Sequence, residues 1–366
     1  MKIKYPDYNN SILNITCSIL NHYKLNFNHN TLPYLDNMLK NNYKNIVLMV
    51  LDGMGSEIIT TNLQENSFLR KHFFEDISSV FPPTTTAATT SLQSGLSPLE
   101  HGWLGWNLYF KEINKNVDIY INTDDNGEIV SEYNIANKFI PFKDIIDLIN
   151  ENTDISAHSV SPFGTCKVDT LQDFIWNIRK ICNNKDNNYI YAYWPEPDST
   201  MHLHGCHSKN AKSCLLEINN YIENLSKNLE DTLLIITADH GHIDAKAKLI
   251  LDYPELLSTL ERLPSIEARS LNFFVKNGME TKFIYEFNKL FKDDFILLTK
   301  EEVLEKELFG TGNESPKFKD FLGDFLAIST SNTTIFKTER ECKSLIGVHA
   351  GITESEMMVP LIIVKS

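Results

Sequence analysis

Two kinds of apolar pattern run through this chain, one with helical spacing and one made of short unbroken stretches. Helical spacing of apolar residues predicts an N-terminal helix pair at 11–23 and 32–42 and later helices at 143–152, 169–182 and 210–228. Short apolar stretches, typical of strands buried on both faces of a parallel sheet, predict strands at 45–51, 154–160, 188–194, 233–237 and the end of 349–364. The alternation predicts an α/β fold: a three-layer α/β/α sandwich around a mostly parallel sheet.

The stretch 245–340 has a different texture. Its patterns predict strands at 271–276 and 325–329 and helices at 281–292 and 300–307, without the strand-end polar residues that occur elsewhere. We therefore expect a catalytic core formed by 1–244 and 341–366, with 245–340 as an inserted α+β cap subdomain. Weak alternation at 108–135, with a turn at 124–127, predicts a hairpin within the core.

The segment 81–95, Phe-Pro-Pro-Thr-Thr-Thr-Ala-Ala-Thr-Thr-Ser-Leu-Gln-Ser-Gly, is the most informative one. Its two prolines fix the backbone, Thr84 or Thr85 can cap a helix that ends near Ser94, and Gly95 is a natural stop. A hydroxyl at a helix N-terminus lies next to unpaired N–H groups that bind anions, and with a metal it becomes a nucleophile. A capped helix rich in threonine is the simpler interpretation of this segment alone.

Acidic residues and histidines follow or adjoin the ends of the apolar strands. They are Asp52, Asp198 with His202, Asp239 with His240, and His349. Imidazole and carboxylate together suit zinc and, less strictly, manganese. Two such ions about 4 Å apart stabilise the attacking and leaving oxygens of a displacement at phosphorus. Each segment alone is a weak signal, but their combination with the threonine segment predicts a two-metal site.

Composition narrows the range of partners. The net charge of −14 disfavours a nucleic acid polymer or an anionic membrane as partner. The N-terminus has no apolar signal region, no stretch approaches membrane-spanning length, and the six cysteines have no regular spacing. We expect a cytoplasmic protein with reduced thiols and a small anionic phosphoester as substrate. A homodimer is left open.

Taken together, these segments resemble the alkaline phosphatase superfamily, and most closely its nucleotide pyrophosphatase/phosphodiesterase branch. The resemblance rests on the following motifs: Asp52-Gly-Met-Gly55, Phe81-Pro-Pro-Thr-Thr-Thr86, Ser94-Gly-Leu-Ser-Pro-Leu-Glu-His-Gly102, Glu196-Pro-Asp-Ser-Thr-Met-His202, Thr237-Ala-Asp-His-Gly-His242, His349-Ala-Gly351 and Met358-Val-Pro360. They cover the core but not the cap, and their order is more specific than any one of them.

The resemblance implies roles for individual residues. Asp52, Asp239 and His240 would hold one metal together with the oxygen of the nucleophile, and Asp198, His202 and His349 would hold the other. The family's spacing from nucleophile to Gly95 implies that Thr85 is the nucleophile and a metal ligand, with Thr84 and Thr86 as alternatives. His204, His207 and His242 are expected to support the site from behind or to lie on the surface.

Three further residues are candidates for contact with the substrate. The family has an asparagine that donates to a phosphate oxygen, and Asn107 is the nearest match, slightly out of register. Nucleotide-preferring members place an aromatic residue after the nucleophile; here that residue is Thr86, and Trp106 or Trp103 could compensate, with a packing role as the alternative. Arg269 could hold an anionic group through its guanidinium, with a structural salt bridge as the alternative.

The resulting prediction is a two-metal phosphoryl-transfer hydrolase that cleaves a phosphodiester, pyrophosphate or related phosphoester through a phosphothreonine. Two alternatives stay open: a phosphonate hydrolase or metal-dependent phosphomutase on the same scaffold, and a metal-bound ligand-binding protein without catalysis.

Overall fold

The computed structural model describes all 366 residues of the chain. The strands, β1 to β17 in chain order, are Asn45–Leu51, Phe73–Ser78, Asn107–Phe110, Lys115–Asp118, Ser156–Ser161, Cys166–Lys167, Asn188–Trp194, Thr232–Thr237, Ile243–Asp244, Lys246–Leu249, Ser265–Ile266, Ser270–Phe273, Phe295–Thr299, Phe325–Ser329, Thr333–Phe336, Gly347–Val348 and Met358–Lys365. The helices, α1 to α17, are Ile12–His22, Pro33–Leu39, Ser56–Asn62, Phe68–Lys71, Thr85–Ser94, Pro98–His101, Ile135–Phe139, Ile145–Asn152, Leu171–Cys182, Asp198–His204, Lys209–Ser226, Pro254–Leu257, Glu280–Phe291, Lys300–Glu305, Phe318–Phe321, Glu339–Ser344 and Glu354–Met357.

The central sheet has seven strands in the order β2-β17-β8-β1-β7-β5-β6. Strand β1 pairs in parallel with both β7 and β8, so that Leu48 lies opposite Tyr191 on one side and Ile235 on the other. Strand β17 runs antiparallel to β8 and to the edge strand β2. The prediction of a mostly parallel sheet is therefore confirmed, with β17 as the one strand that runs in the opposite direction.

Helices cover both faces of this sheet. Every residue of β1 and β8 is buried, which a strand achieves only when both of its faces are covered. One group of packed helices contains α1, α2, α5 and α6, and another contains α3, α4, α9, α10 and α11. The predicted three-layer α/β/α architecture is confirmed.

A second, antiparallel sheet has six strands in the order β13-β14-β12-β11-β3-β4. It takes four strands from 265–329 and two from 107–118, so its residues do not all lie within 245–340. A hairpin forms at 107–118, and an isolated antiparallel bridge between Thr123 and Ile129 flanks the predicted turn at 124–127. Residues 124–127 form a separate turn, in which Gly127 N–H donates to the Asp124 carbonyl at 2.8 Å. The boundaries of the cap stay a prediction.

Two general features complete the architecture. None of the helices combines the length and the apolar character that crossing a membrane requires. All six cysteines are free thiols.

Candidate active site

The parallel strands of the central sheet bring the acidic residues together. Strands β8, β1 and β7 are neighbours, and their carboxyl ends meet at one edge of the sheet. Asp52 follows β1, Asp239 and His240 follow β8, and Asp198 begins α10 just after β7. The Asp198 N–H donates to the Asp52 carbonyl at 3.0 Å, which fixes the two segments against each other.

Gly53 makes this close approach sterically feasible. Its φ is +71°, and a Cβ on it would come within 3.0 Å of the Asp198 Cβ and 2.9 Å of the His242 ring. The Gly53 N–H donates to Oδ1 of Asp239 at 3.0 Å. A side chain at position 53 would therefore push apart the strand ends that carry the acids.

Thr85 is the first residue of α5, and its hydroxyl contacts the acidic cluster. Its Oγ1 lies 3.2 Å from Nε2 of His240. The neighbouring hydroxyls point elsewhere: Thr84 Oγ1 donates to Oε1 of Glu267 at 2.6 Å, and Thr86 Oγ1 is buried without a partner. Of the three candidate nucleophiles, only Thr85 has a hydroxyl that contacts the cluster.

Backbone carbonyls fix the tautomers of three histidines. A carbonyl only accepts, so each Nδ1 must carry the proton, which leaves Nε2 with a free lone pair. The pairs are His202 with Gly347 at 2.8 Å, His240 with Gly241 at 3.0 Å and His349 with Pro83 at 3.2 Å. This is the arrangement that metal-binding histidines use.

The ligand-bearing side chains form two adjacent groups. In each group the candidate ligand atoms lie within 4.8 Å of one another: Asp198, His202, His242 and His349 in the first, and Asp52, Asp198 and His240 in the second. The rings of His240 and His349 stack at 3.8 Å between centroids, which joins the two groups. Asp239 Oδ2 lies 3.6 Å from His240 Nε2, beside the second group.

Buried negative charge in this cluster requires compensation. Burial and the nearby Asp198 carboxylate raise the pKa of Asp52, and burial with the nearby Asp52 charge raises the pKa of Asp239. One oxygen of each, Asp52 Oδ1 and Asp239 Oδ2, is buried without a hydrogen-bond donor. Unpaired carboxylate oxygens beside imidazole lone pairs fit divalent cations, so this donor set can hold metal ions.

Two further residues contact the carboxylates of the cluster. His242 is buried, with Nε2 2.5 Å from Oδ1 of Asp198, so it supports the site from behind, which is one of the two placements expected for it. Burial lowers its pKa to about 4, so the neutral ring donates to Asp198. The Tyr193 hydroxyl donates to Asp52 Oδ2. Tyr193 lies on β7, before Asp198 in the chain, but no sequence motif marks it as a site residue. His204 and His207 are exposed, as expected.

Asn107 lies in the wall of the same cavity as Thr85. Its amide nitrogen donates to Asp118 Oδ1 at 2.7 Å and to Asp125 Oδ1 at 3.2 Å. Both amide hydrogens therefore have carboxylate partners, and a phosphate oxygen would have to replace one of them. The expected phosphate contact of Asn107 stays a prediction.

Arg269 does not reach the site, whereas Trp106 does. The Arg269 guanidinium is fully buried and is held by both oxygens of Glu356, at 2.7 and 2.9 Å. Its proposed contact with substrate is replaced by a structural ion pair. Trp106 is 37% exposed and lines the cavity. Trp103 is buried and its Nε1 donates to the Ile140 carbonyl at 2.9 Å, so it is a packing residue.

A cavity of about 580 Å³ opens over the cluster. Thr85, Asp198, His202 and His349 lie in its wall, together with residues 263–268 around β11 and residues 335–338 at the end of β15. Its lining also contains four carboxylates outside the predicted ligands, Asp118, Asp125, Glu267 and Glu341, but only one lysine and no arginine. Burial raises the pKa of Glu267 to about 7.

Comparison with protein families identifies the family of this chain. The family model for type I phosphodiesterase/nucleotide pyrophosphatase matches residues 46–350. The chain belongs to this family. The match includes every predicted ligand and the threonine segment. A comparison with curated proteins finds no match.

Several solved structures have the same fold as this chain. Human ectonucleotide pyrophosphatase/phosphodiesterase 5 superposes with a TM-score of 0.66 at 16% identity, covering 87% of each chain. The murine protein, solved as an inactive threonine-to-alanine variant in complex with AMP, gives 0.65 at 17% identity and the same coverage. Phosphonoacetate hydrolase from Sinorhizobium meliloti, in complex with phosphonoformate, gives 0.65 at 15% identity over 87% of this chain and 89% of that chain.

Proposed function

We propose that the protein is a metal-dependent hydrolase that cleaves a phosphodiester, pyrophosphate or related phosphoester through a phosphothreonine on Thr85. The observation that carries this proposal is the Thr85 hydroxyl at the start of α5, 3.2 Å from His240 Nε2. A hydroxyl placed between a helix N-terminus and a cluster of acids and imidazoles suits nucleophilic attack on phosphorus. Membership of the phosphodiesterase family supports the same chemistry.

Two divalent ions fit the donor set. Asp52, Asp239 and His240 would hold one ion together with Thr85, and Asp198, His202 and His349 would hold the other. Zinc is the expected ion, because imidazole and carboxylate suit it, and manganese is the alternative. Ions bound there would lower the pKa of a hydroxyl or water and neutralise charge on phosphoryl oxygens.

The chain itself supplies the nucleophile and the binding site for the phosphate. The Thr85 oxygen forms a bond to phosphorus while the bond to the leaving alcohol breaks, and water then hydrolyses the phosphothreonine. The backbone N–H groups of Thr85, Thr86 and Ala87 form no hydrogen bonds within the protein. They point along the first turn of α5 and can donate to the phosphoryl oxygens as charge develops.

The charge of the cavity favours a diester over a monoester. The lining has four carboxylates besides the predicted ligands, and its one lysine, Lys337, lies 2.5 Å from Asp125 Oδ1. A doubly charged monoester would need cationic side chains that this wall does not offer, whereas a diester carries one charge. The AMP complex of the murine protein supports a nucleotide-sized organic group, and the hydrolase from Sinorhizobium meliloti keeps a phosphonate as the alternative.

A substrate screen tests the proposal. The zinc-loaded protein is assayed with p-nitrophenyl phosphate, bis(p-nitrophenyl) phosphate, p-nitrophenyl thymidine 5′-phosphate and p-nitrophenyl phenylphosphonate. We expect the diesters to be hydrolysed faster than the monoester. Fastest release of p-nitrophenol from the phosphonate would favour a hydrolase of phosphonate esters, since this release breaks the P–O bond, and exchange of phosphate between two positions of a sugar would identify a mutase. Bound metal with no turnover would favour a ligand-binding protein.

A further inference from the structure

Among the helices with a threonine at the N-cap position, α5 and the one-turn helix α17 lack a side-chain cap, whereas three others have one. A threonine at the N-cap position normally accepts a hydrogen bond from the third residue of its helix. Thr170, Thr299 and Thr338 all do so, at the starts of α9, α14 and α16. Thr84 occupies the same position before α5 but makes no such bond. The first turn of α5 therefore keeps its amide groups free.

Backbone geometry does not explain the difference. Thr84 has φ −142° and ψ 149°, close to the −131° and 155° of Thr170 and the −128° and 150° of Thr338. With the same backbone, rotation about χ1 would bring the Thr84 hydroxyl to the Ala87 N–H. Something outside the helix must hold the hydroxyl away from it.

Glu267 is the group that holds it. Its Oε1 accepts from the Thr84 hydroxyl at 2.6 Å and from the Trp106 N–H at 2.7 Å. Glu267 lies between β11 and β12 of the second sheet, and it lines the same cavity as Thr85. Thr170 and Thr338 also donate to carboxylates, but these belong to their own helices, and both threonines still cap. Glu267 belongs to the second sheet, so its strong hydrogen bond holds the Thr84 hydroxyl toward that sheet and away from the helix.

We infer that Glu267 is a positioning residue that prevents Thr84 from capping α5, so that the first-turn amides stay free for the phosphoryl group of the substrate. The inference rests on the proposed function, because it assumes that a phosphoryl group is bound at Thr85. Without Glu267, Thr84 would turn inward and occupy an amide that the phosphate needs. Through Glu267, the second sheet would thus control how tightly the N-terminus of α5 binds the phosphoryl group of the substrate.

Five variants separate this role from a merely structural one. Glu267→Ala removes the acceptor, whereas Glu267→Gln keeps an amide oxygen in its place. Thr84→Val is an isostere without a hydroxyl, and it is combined with Glu267→Ala. Thr84→Ser in the Glu267→Ala background is the matched control, because it keeps a hydroxyl that can cap. Thr84→Val alone is the reference for the double variant.

The kinetic pattern of these variants tests the inference with bis(p-nitrophenyl) phosphate. We expect Glu267→Ala to lower kcat/KM about ten- to a hundredfold and Glu267→Gln to lose much less. The double variant with Thr84→Val should recover to within about threefold of Thr84→Val alone. The double variant with Thr84→Ser should stay as low as Glu267→Ala. Equal impairment of both double variants would overturn the inference.

Binding of inorganic phosphate provides a readout that does not depend on turnover. Calorimetric titration of the same zinc-loaded variants should show weaker phosphate binding in Glu267→Ala and recovery with Thr84→Val. If no diester is turned over but this binding pattern is found, the proposed function fails and the inference stands. If turnover is present but phosphate affinity is the same in all variants, the inference fails alone. If phosphate does not bind to the unaltered protein, both fail.

Discussion

Arg269 and Glu356 form a two-point ion pair inside the protein. Arg269 Nε lies 2.7 Å from Oε1 of Glu356 and Nη2 lies 2.9 Å from Oε2, with both side chains fully buried. The remaining guanidinium hydrogens go to Ser331, Thr333 and Thr334, and Glu356 Oε1 also accepts the Gly351 N–H at 2.7 Å. The pair therefore ties the second sheet to the loop that carries His349.

This ion pair predicts a large and non-additive effect on stability. Arg269→Met or Glu356→Leu alone leaves one buried charge without a partner and should lower the free energy of unfolding by about 3–5 kcal/mol. The double variant removes both charges and should be less destabilised than either single variant. Urea unfolding of the four proteins measures this coupling. A higher KM in Arg269→Met without loss of stability would restore a role in substrate binding.

Thr85 provides the decisive test of the covalent mechanism. Thr85→Ala should lower kcat by several orders of magnitude, because water would have to attack without a positioned oxygen. Thr85→Ser keeps a hydroxyl with more rotamer freedom and should retain part of the activity. Acid quenching during turnover, followed by peptide mapping, should locate phosphate on residue 85.

Variants at the neighbouring threonines serve as controls for that experiment. Thr84→Ala and Thr86→Ala should each raise the free energy of activation by at most about 1 kcal/mol, because neither hydroxyl contacts the ligand cluster. Phosphate found on Thr84 or Thr86 would show that the nucleophile is misassigned although the mechanism holds. Full activity of Thr85→Ala together with no trapped phosphoenzyme would rule out the covalent route.

Metal content should follow the two groups of ligands. We expect two ions per chain after zinc is added, with loss of about one ion in His202→Ala or in His240→Ala. His242→Ala removes a group that supports Asp198 and should weaken metal binding about 10- to 100-fold. His207→Ala, at an exposed position, is the matched control and should keep both ions. Metal analysis by mass spectrometry that finds one ion or none in the unaltered protein would contradict the assignment.

The lowered pKa of Glu100, which is not one of the proposed metal ligands, predicts how the free energy of unfolding depends on pH. Burial alone would raise its pKa, but hydrogen bonds from His29 and the Ser97 N–H outweigh burial and lower it. The folded protein thus binds this proton more weakly than the unfolded chain does. Glu100 therefore stabilises the folded protein fully at pH values above its pKa in the unfolded chain, which is about 4.5. This contribution to the free energy of unfolding is lost as the pH falls through the lower pKa of Glu100 in the folded protein.

A comparison with Glu100→Gln isolates this contribution. At pH 7 the variant should be less stable than the unaltered protein by about 1–3 kcal/mol, because Gln makes weaker hydrogen bonds to the same donors. The difference should shrink as the pH falls below about 4.5. Urea unfolding between pH 7 and pH 3.5 measures it, with exposed Glu128→Gln as control. A difference that stays constant with pH would contradict the prediction.

Strands buried on both faces were predictable from the sequence. The bounds of 45–51, 188–194 and 325–329 agree with β1, β7 and β14. Apolar stretches of this length are too short for a typical helix and therefore favour a buried strand. Strand β2, Phe73–Ser78, was missed. It is an edge strand, exposed at alternate positions in its first half, and its partner β17 lies almost 300 residues away in the chain. Such long-range pairing leaves no local signal.

The grouping of the candidate metal ligands was predictable for a related reason, whereas the partners of their neighbours were not. Residues at the ends of parallel strands meet wherever the strands are adjacent, so Asp52, Asp198 and Asp239 could be grouped before their distances were known. The roles of Asn107 and Arg269 depend on which partner takes each donor. Asp118, Asp125 and Glu356 reach those donors only through tertiary packing, which residue type and spacing do not encode.

The second sheet takes its strands from two separate stretches of the chain, 107–118 and 265–329, and this limits how the protein can evolve. Ile266 of β11 pairs with Asn107 of β3, so the hairpin 107–118 depends on a strand more than 140 residues later in the chain. Removing 245–340 as a block would leave β3 with an open edge, which invites association between chains. The region around the cavity therefore cannot be exchanged by recombination as an independent module. Changes in substrate range would have to accumulate by point substitution in both stretches together.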